Sequence, residues 1–269
     1  MKVRLSIPLL GINWGQTVNP YIAVPLENNI SVHQVECRDD ENSGLLKISL
    51  EGQNSPFLEQ EISKASLKMV SLYRSLAGDI PGKNCYEISI PDEKIPYISI
   101  YGAVLDALAY KLLSRALGLK PSKNEIIEFL SHLWTGKPFW LRLLYESVAL
   151  SSITGRTILY RGTDESIILG KTSIKKAARR NYYDANTVEP PSDPQLQSAL
   201  AKLEGVSVIS ASNIISASPD KGLEIHSLLS TYYKIDNAVS YIVYGLEPPV
   251  DGCKYIQSLN GGLEETCFE

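Results

Sequence analysis

Cysteine is scarce: Cys37, Cys85, Cys253 and Cys267 are the four in a chain of 269 residues. So few, so scattered, they do not read as the disulfide framework of a small secreted domain, and the expectation is reduced thiols in a cytosolic protein. Histidine is scarcer still. His33, His132 and His226 lie far apart in the chain, without the paired spacing of a zinc site. No apolar run approaches the roughly 20 residues that a membrane span requires. The opening stretch from Met1 to Leu10 has two basic residues but neither the apolar core nor the cleavage site of a signal peptide. A soluble, cytoplasmic chain without a membrane partner is expected. An excess of positive charge is missing too: Lys+Arg total 26 against 30 Asp+Glu, for a formal net charge of −4. Phosphate-backbone binding needs the opposite balance, which argues against nucleic acid as the partner.

The common catalytic signatures are also absent. There is no Gly-x-Ser-x-Gly elbow, no Cys-x-x-Cys pair and no Gly-x-Gly-x-x-Gly fingerprint. Gly170-Lys171-Thr172 ends like a phosphate loop, but the place of that motif's first glycine is taken by Glu165, whose charge repels phosphate. Lys175, Lys176, Arg179 and Arg180 cluster at helical spacing and read as a solvated helix face.

What is present is ordinary globular composition, with 44% hydrophobic and 21% charged residues, enough for one large domain or two. Strands are expected at 2–10, near 21–25, at 30–36, at 45–51 and at 85–90, with a helix over 57–77 whose apolar stripe is Leu58, Ile62, Ala65, Met69 and Leu72. From Gly102 to Leu117 nearly every face is apolar, which marks a central, buried helix. Ser122 with Glu125 forms a capping-box pattern opening the next helix, which ends near Trp134. A helix over about 140–152 and paired strands at 157–160 and 167–169 follow. Beyond the Pro190–Pro194 loop the pattern predicts a strand at 206–210, a helix at 221–233, a strand at 238–244, a helix at 253–259 and a terminal strand. The sum is an α+β fold with a boundary near 150–160.

The order of features resembles the galactokinase, homoserine, mevalonate and phosphomevalonate kinase (GHMP) superfamily. Ser6-Ile-Pro-Leu-Leu-Gly-Ile-Asn-Trp-Gly15, followed by Tyr21-Ile-Ala-Val-Pro-Leu26 and the strand at 30–35, is similar to the family's start. Pro96-Tyr-Ile-Ser-Ile-Tyr-Gly102-Ala-Val-Leu-Asp106, running into the Ala/Leu helix, looks like its phosphate-binding loop. In the family that loop reads Pro-x-Gly-x-Gly-Leu-Gly-Ser-Ser-Ala-Ala, and backbone N–H groups with the helix dipole hold ATP phosphates. Here Pro96 and Gly102 remain. Two glycines are Ile98 and Ile100, the serines that help position Mg²⁺ are Ala103 and Val104, and Asp106 adds a negative charge. The mevalonate kinase branch carries Gly-x-Pro-Ser-Gly-(Ile/Leu)-Asp, whose Asp accepts the substrate proton; the corresponding Gly136-Lys-Pro-Phe-Trp-Leu-Arg142 ends in a guanidinium that cannot be a base. A third, glycine-rich turn would fall at Lys234-Ile-Asp-Asn-Ala-Val-Ser240, which has no glycine.

The resemblance implies a two-domain α+β fold: a ribosomal-S5-domain-2-like half over 1–155 and a ferredoxin-like half over 156–269, with a cleft between them. The first reading is a relative that has lost kinase chemistry. It serves as a binding or subunit protein, forms homo- or hetero-oligomers, and has no resident cofactor. Lys137, Arg142, Lys234 and Asp236 then line a cleft for a small anionic metabolite, beside the degenerate loop residues Pro96, Gly102 and Asp106. The second is an active kinase phosphorylating a small alcohol, using ATP with Mg²⁺ held by Asp106 or Asp236. The third is an unrelated α+β interaction module.

Overall fold

The computed structural model describes residues 3–10, 19–37, 46–51, 56–78, 84–89, 98–137, 139–162, 166–170, 177–181, 193–215, 253–258 and 262–268. A mixed six-stranded sheet carries the N-terminal part. Its strands are β1 (Val3–Leu10), β2 (Tyr21–Val35), β3 (Leu46–Leu50), β4 (Asn84–Ser89), β5 (Thr157–Tyr160) and β6 (Ser166–Gly170), in the order β3-β4-β2-β5-β6 with β1 also on β2. β2 is one 15-residue strand where the sequence pattern gives two. Pro25, which has no N–H to donate, sits opposite Ser6, and β1 slips register between Arg4 and Ser6, so an irregularity in the partner absorbs the proline without ending β2. The far end of β2 pairs with β4, His33 lying opposite Glu87, and its first residues pair with β5, Tyr21 opposite Tyr160. This sheet therefore continues past residue 155.

Four helices cover it: α1 (Pro56–Ala77), α2 (Ile98–Ala116), α3 (Lys123–Leu133) and α4 (Phe139–Thr154). α1 links the parallel pair β3 and β4 and buries Ile62, Ala65 and Met69, three members of its predicted stripe. α2 is buried without interruption from Ala103 to Tyr110 and α4 from Leu143 to Ser152, so these two apolar helices are the centre of the core. Among the described residues no helix is long and apolar enough to cross a membrane.

Several expectations are corrected. Cys37 and Cys85 form a disulfide with their Cα atoms 5.3 Å apart. Spacing in sequence hides this pairing; the register that sets Val35 opposite Cys85 brings Cys37, two residues on, alongside. Residues 206–210 belong not to a strand but to α5 (Pro194–Ile215), opened by proline in the first turn and by Asp193 Oδ1, which accepts from the Gln195 N–H at 2.8 Å. The Val-x-Val alternation there suggests a strand, yet the buried residues described in it are Gly205, Val208 and Ser212, at helical spacing. Gly205 packs close to Asn19: an added Cβ would lie 2.7 Å from Asn19 Oδ1, so that side chain would have to turn aside. Residues 253–258 form β8 (Cys253–Ser258), not a helix. With β7 (Ala177–Asn181) and β9 (Gly262–Phe268) they make an antiparallel sheet of order β7-β9-β8. Arg179 and Arg180 thus stand on successive strand positions, which alternate between sheet faces, and not on one helix face. The helix at 221–233 and the strand at 238–244 lie outside the described residues.

Candidate functional site

The loop that resembles a phosphate cradle is largely helix. α2 begins at Ile98, so Ile98 and Ile100, standing where the family has glycines, are within it. Pro96 lies outside the described residues. Gly102 sits in the second turn and is not among the glycines with positive φ. The reason is local: isoleucine avoids the left-handed backbone that an open glycine loop needs, but joins a helix at little cost. The N–H groups of Gly102, Ala103 and Val104 are therefore committed to carbonyls four residues earlier. Ala103 and Val104 are fully buried.

One turn on, Asp106 is an acid inside this apolar helix, 2% exposed. Its Oδ2 accepts from the indole Nε1–H of Trp134 at 2.8 Å. Its Oδ1 is buried without a hydrogen-bond partner, and the nearest cation, Lys68 Nζ on α1, stands 4.0 Å away, too far for one. Burial pushes the Asp106 carboxyl above the usual carboxylate range; Lys68, the Trp134 hydrogen bond and Lys137 oppose this, and Glu61 adds to it. Trp134 is brought here by α3. The capping box predicted from sequence is formed, with the Ser122 N–H donating to Glu125 Oε2 at 2.6 Å, and Trp134 is the C-cap at the other end. Its ring meets Tyr145 of α4 edge-on at 5.5 Å, and the Lys137 ammonium lies 4.9 Å from the centroid of that same tyrosine.

Arg142 belongs to a second cluster. Its Nε is 3.6 Å from Glu146 Oε1, and its guanidinium carbon lies 5.2 Å from the Phe139 ring centroid. Glu146 is buried and its Oε2 accepts from the Tyr160 hydroxyl at 2.6 Å. Burial raises its pKa, with Tyr160 and Arg142 pulling the other way. The structure thus joins Lys137 to Asp106 through Trp134 and Tyr145, and gives Arg142 a carboxylate of its own. Lys234 and Asp236 lie outside the described residues. Lys68, Trp134, Glu146 and Tyr160 are functional neighbours that sequence reading did not identify. The available signal was a single acid in each of two apolar helices, which needs a partner wherever it is buried.

Chemically, the arrangement sets two ammonium groups, Lys68 and Lys137, on the exposed side of a buried carboxyl that burial biases toward its neutral form. It suits holding an anion. It does not fit the triphosphate and Mg²⁺ as the resemblance would have them bound, because the N–H groups of Gly102, Ala103 and Val104 are used within the helix, the serine positions are apolar and the carboxylate is enclosed. Among the described residues no group of acids, histidines or cysteines is placed to hold a metal ion.

The raised Asp106 pKa has a consequence for stability. A carboxyl that protonates more readily when folded contributes stability below its unfolded pKa of about 3.9, and that contribution is lost as pH rises through the folded pKa. Asp106→Asn keeps an acceptor for Trp134 and removes the buried charge. The variant is expected to be more stable than the native protein at pH 7 and equal to it near pH 3.5, as read by urea denaturation at both. A native protein that is the more stable of the two at pH 7 would show that Asp106 is held charged.

No family model matches the chain, and no curated protein does. Solved structures do match its fold. The chain superposes on a phosphomevalonate kinase from Streptococcus pneumoniae, in complex with phosphomevalonate and AMPPNP, with a TM-score of 0.59 and 8% identity, covering 100% of this chain and 92% of that one. A mevalonate kinase gives 0.54 at 11% identity over 99% and 90%. The galactokinase of Lactococcus lactis gives 0.53 at 11% identity over 99% and 84%.

Proposed function

We propose that this chain, whose fold is that of the GHMP kinases, is a non-catalytic member of that architecture: a binding or subunit protein for a small anionic metabolite. One observation carries the reading: α2 runs back through the phosphate-loop positions to Ile98, so that Gly102, Ala103 and Val104 sit within a helix above a buried Asp106. Preorganised donors aimed at the phosphates are the main means of phosphoryl-transfer catalysis, and the N–H groups of Gly102, Ala103 and Val104 are spent inside the helix. Lys68 and Lys137, near the site where the resemblance puts the substrate, supply the charge that an anion requires. A division into two parts, the first running past residue 155 to include β5 and β6, and oligomer formation belong to the same reading.

Calorimetric titration with ATP, with and without Mg²⁺, tests it. The expected result is no saturable heat and no rise in melting temperature at several millimolar nucleotide, since a ligand that binds only the folded state must raise it. Saturable binding at or below about 1 mM would overturn the reading in favour of an active kinase.

A further inference from the structure

We propose that Cys253 and Cys267 are a thiol–disulfide exchange site, closed to a second disulfide by a disulfide-bearing oxidant, so that every cysteine of the chain is bridged. Strand register carries the inference. β8 and β9 are antiparallel, and Cys253 stands directly opposite Cys267. Residues so placed share one face of the sheet, with Cα atoms about 4.5 or 5.5 Å apart according to the pair type. Both spacings lie inside the roughly 4.4–6.8 Å that a disulfide spans. The chain has four cysteines. Cys37 and Cys85 are already joined, and the remaining two are set opposite one another, so none is left over.

The strand at 253–258 decides the pairing, since a helix there would give Cys253 no fixed neighbour across the chain. As the first residue of β8 it meets the penultimate residue of β9, while Ser258 opposite Gly262 marks the turn end of the same hairpin. The bridge therefore clamps the open end, which no turn holds. The row across the sheet is Ala178, Cys267, Cys253. A structural zinc site takes four ligands, and this row offers two thiols and an alanine, so a bridge is the better use of the pair. One oxidant balances the reaction. The thiolate of one cysteine attacks the oxidant's disulfide, forming a mixed disulfide and releasing one thiol. The other thiolate then displaces the second thiol as the Cys253–Cys267 bond forms. Two electrons pass from the cysteine sulfurs to the oxidant's, and the two cysteine protons end on the released thiols.

Glutathione disulfide is the probe oxidant. The full chain, purified without reductant, is incubated with it, blocked with N-ethylmaleimide in denaturant, and digested with trypsin without reduction. Cleavage after Lys254 separates the two cysteines, so a bridge between them appears as two linked peptides in the mass spectrum. The expected result is that linked pair, the Cys37–Cys85 pair beside it, and no blocked cysteine. In Cys253→Ser, Cys267 should be blocked or carry glutathione while Cys37–Cys85 stays intact. In Cys37→Ser, the Cys253–Cys267 linkage should persist, which shows that the second bridge does not depend on the first. The proposal is overturned if the native chain, with Cys37–Cys85 formed, has Cys253 and Cys267 blocked or carrying glutathione. Linkage of either one to Cys37, to Cys85 or to a second chain on non-reducing electrophoresis overturns it equally.

Discussion

Reducing the Cys37–Cys85 bond, or replacing Cys37 by serine, is expected to remove roughly 4 kcal/mol of stability. The magnitude comes from the 48-residue separation of the two cysteines: a cross-link over that length restricts the unfolded chain by about this amount in the loop-entropy treatment. Cys37 is the better position to change. Cys85 is buried, and a serine there would add an unsatisfied hydroxyl to the loss of the bridge. Against a typical total of about 5–15 kcal/mol this is a large fraction. Guanidinium denaturation with and without dithiothreitol gives the number, and thiol titration of the native protein shows whether the bridge is formed. Equal midpoints in the oxidised and reduced protein would mean that pairing of β2 with β4 already imposes the same restriction. Disulfides persist in oxidising compartments and, inside cells, chiefly in hyperthermophiles. Purification without reductant is therefore the condition under which the effect should be measured.

Trp134→Ala should be comparably severe, at about 3–5 kcal/mol. The side chain is 1% exposed and packs edge-on against Tyr145, so truncation opens a cavity among α2, α3 and α4. It also removes the donor from Asp106 Oδ2, leaving both oxygens of a buried carboxyl without a hydrogen bond. Trp134→Phe separates the two effects. It retains most of the ring and loses the N–H, for an expected cost of about 1–3 kcal/mol. In the Asp106→Asn background that smaller cost should shrink, because a neutral amide tolerates an absent donor better than a carboxylate. Thermal denaturation of the four proteins forms the cycle, and strict additivity would mean that the indole N–H does nothing for Asp106.

Local signals made much of this fold legible. The all-round apolar text of 102–117 gave the buried helix, Ser122 and Glu125 gave a helix start with its capping bonds, and alternation gave β4 and the pairing of β5 with β6. Failures came where local pattern and tertiary demand diverge. The Val-x-Val of 206–210 is a strand by alternation, but among its described residues Val208 is buried, with Gly205 and Ser212 beside it at helical spacing, and only packing against the rest of the protein reveals that. The site was harder. Lys137, Arg142 and Asp106 were identified by the positions they occupy in a resemblance, yet Trp134 and Asp106, 28 residues apart, meet only because α3 folds back over α2. No periodicity encodes that contact. The cysteine pairing was hidden in the same way, since it depends on register between strands separated by a helix.

The β2 strand has a consequence for synthesis. Its first residues must wait for β5, because Tyr21 pairs with Tyr160 and everything between has to be translated first. At 5–20 residues per second that interval is on the order of ten seconds. Throughout it the nascent chain can already zip β1 onto β2, while the other edge of β2 stands open at Tyr21, Ile22 and Ala23, residues destined for complete burial. An unpaired apolar strand edge of this kind is open to pairing with another chain. The ribosome-bound chain is thus more adhesive than the finished protein, and its vulnerable interval closes only when α4 and β5 leave the exit tunnel.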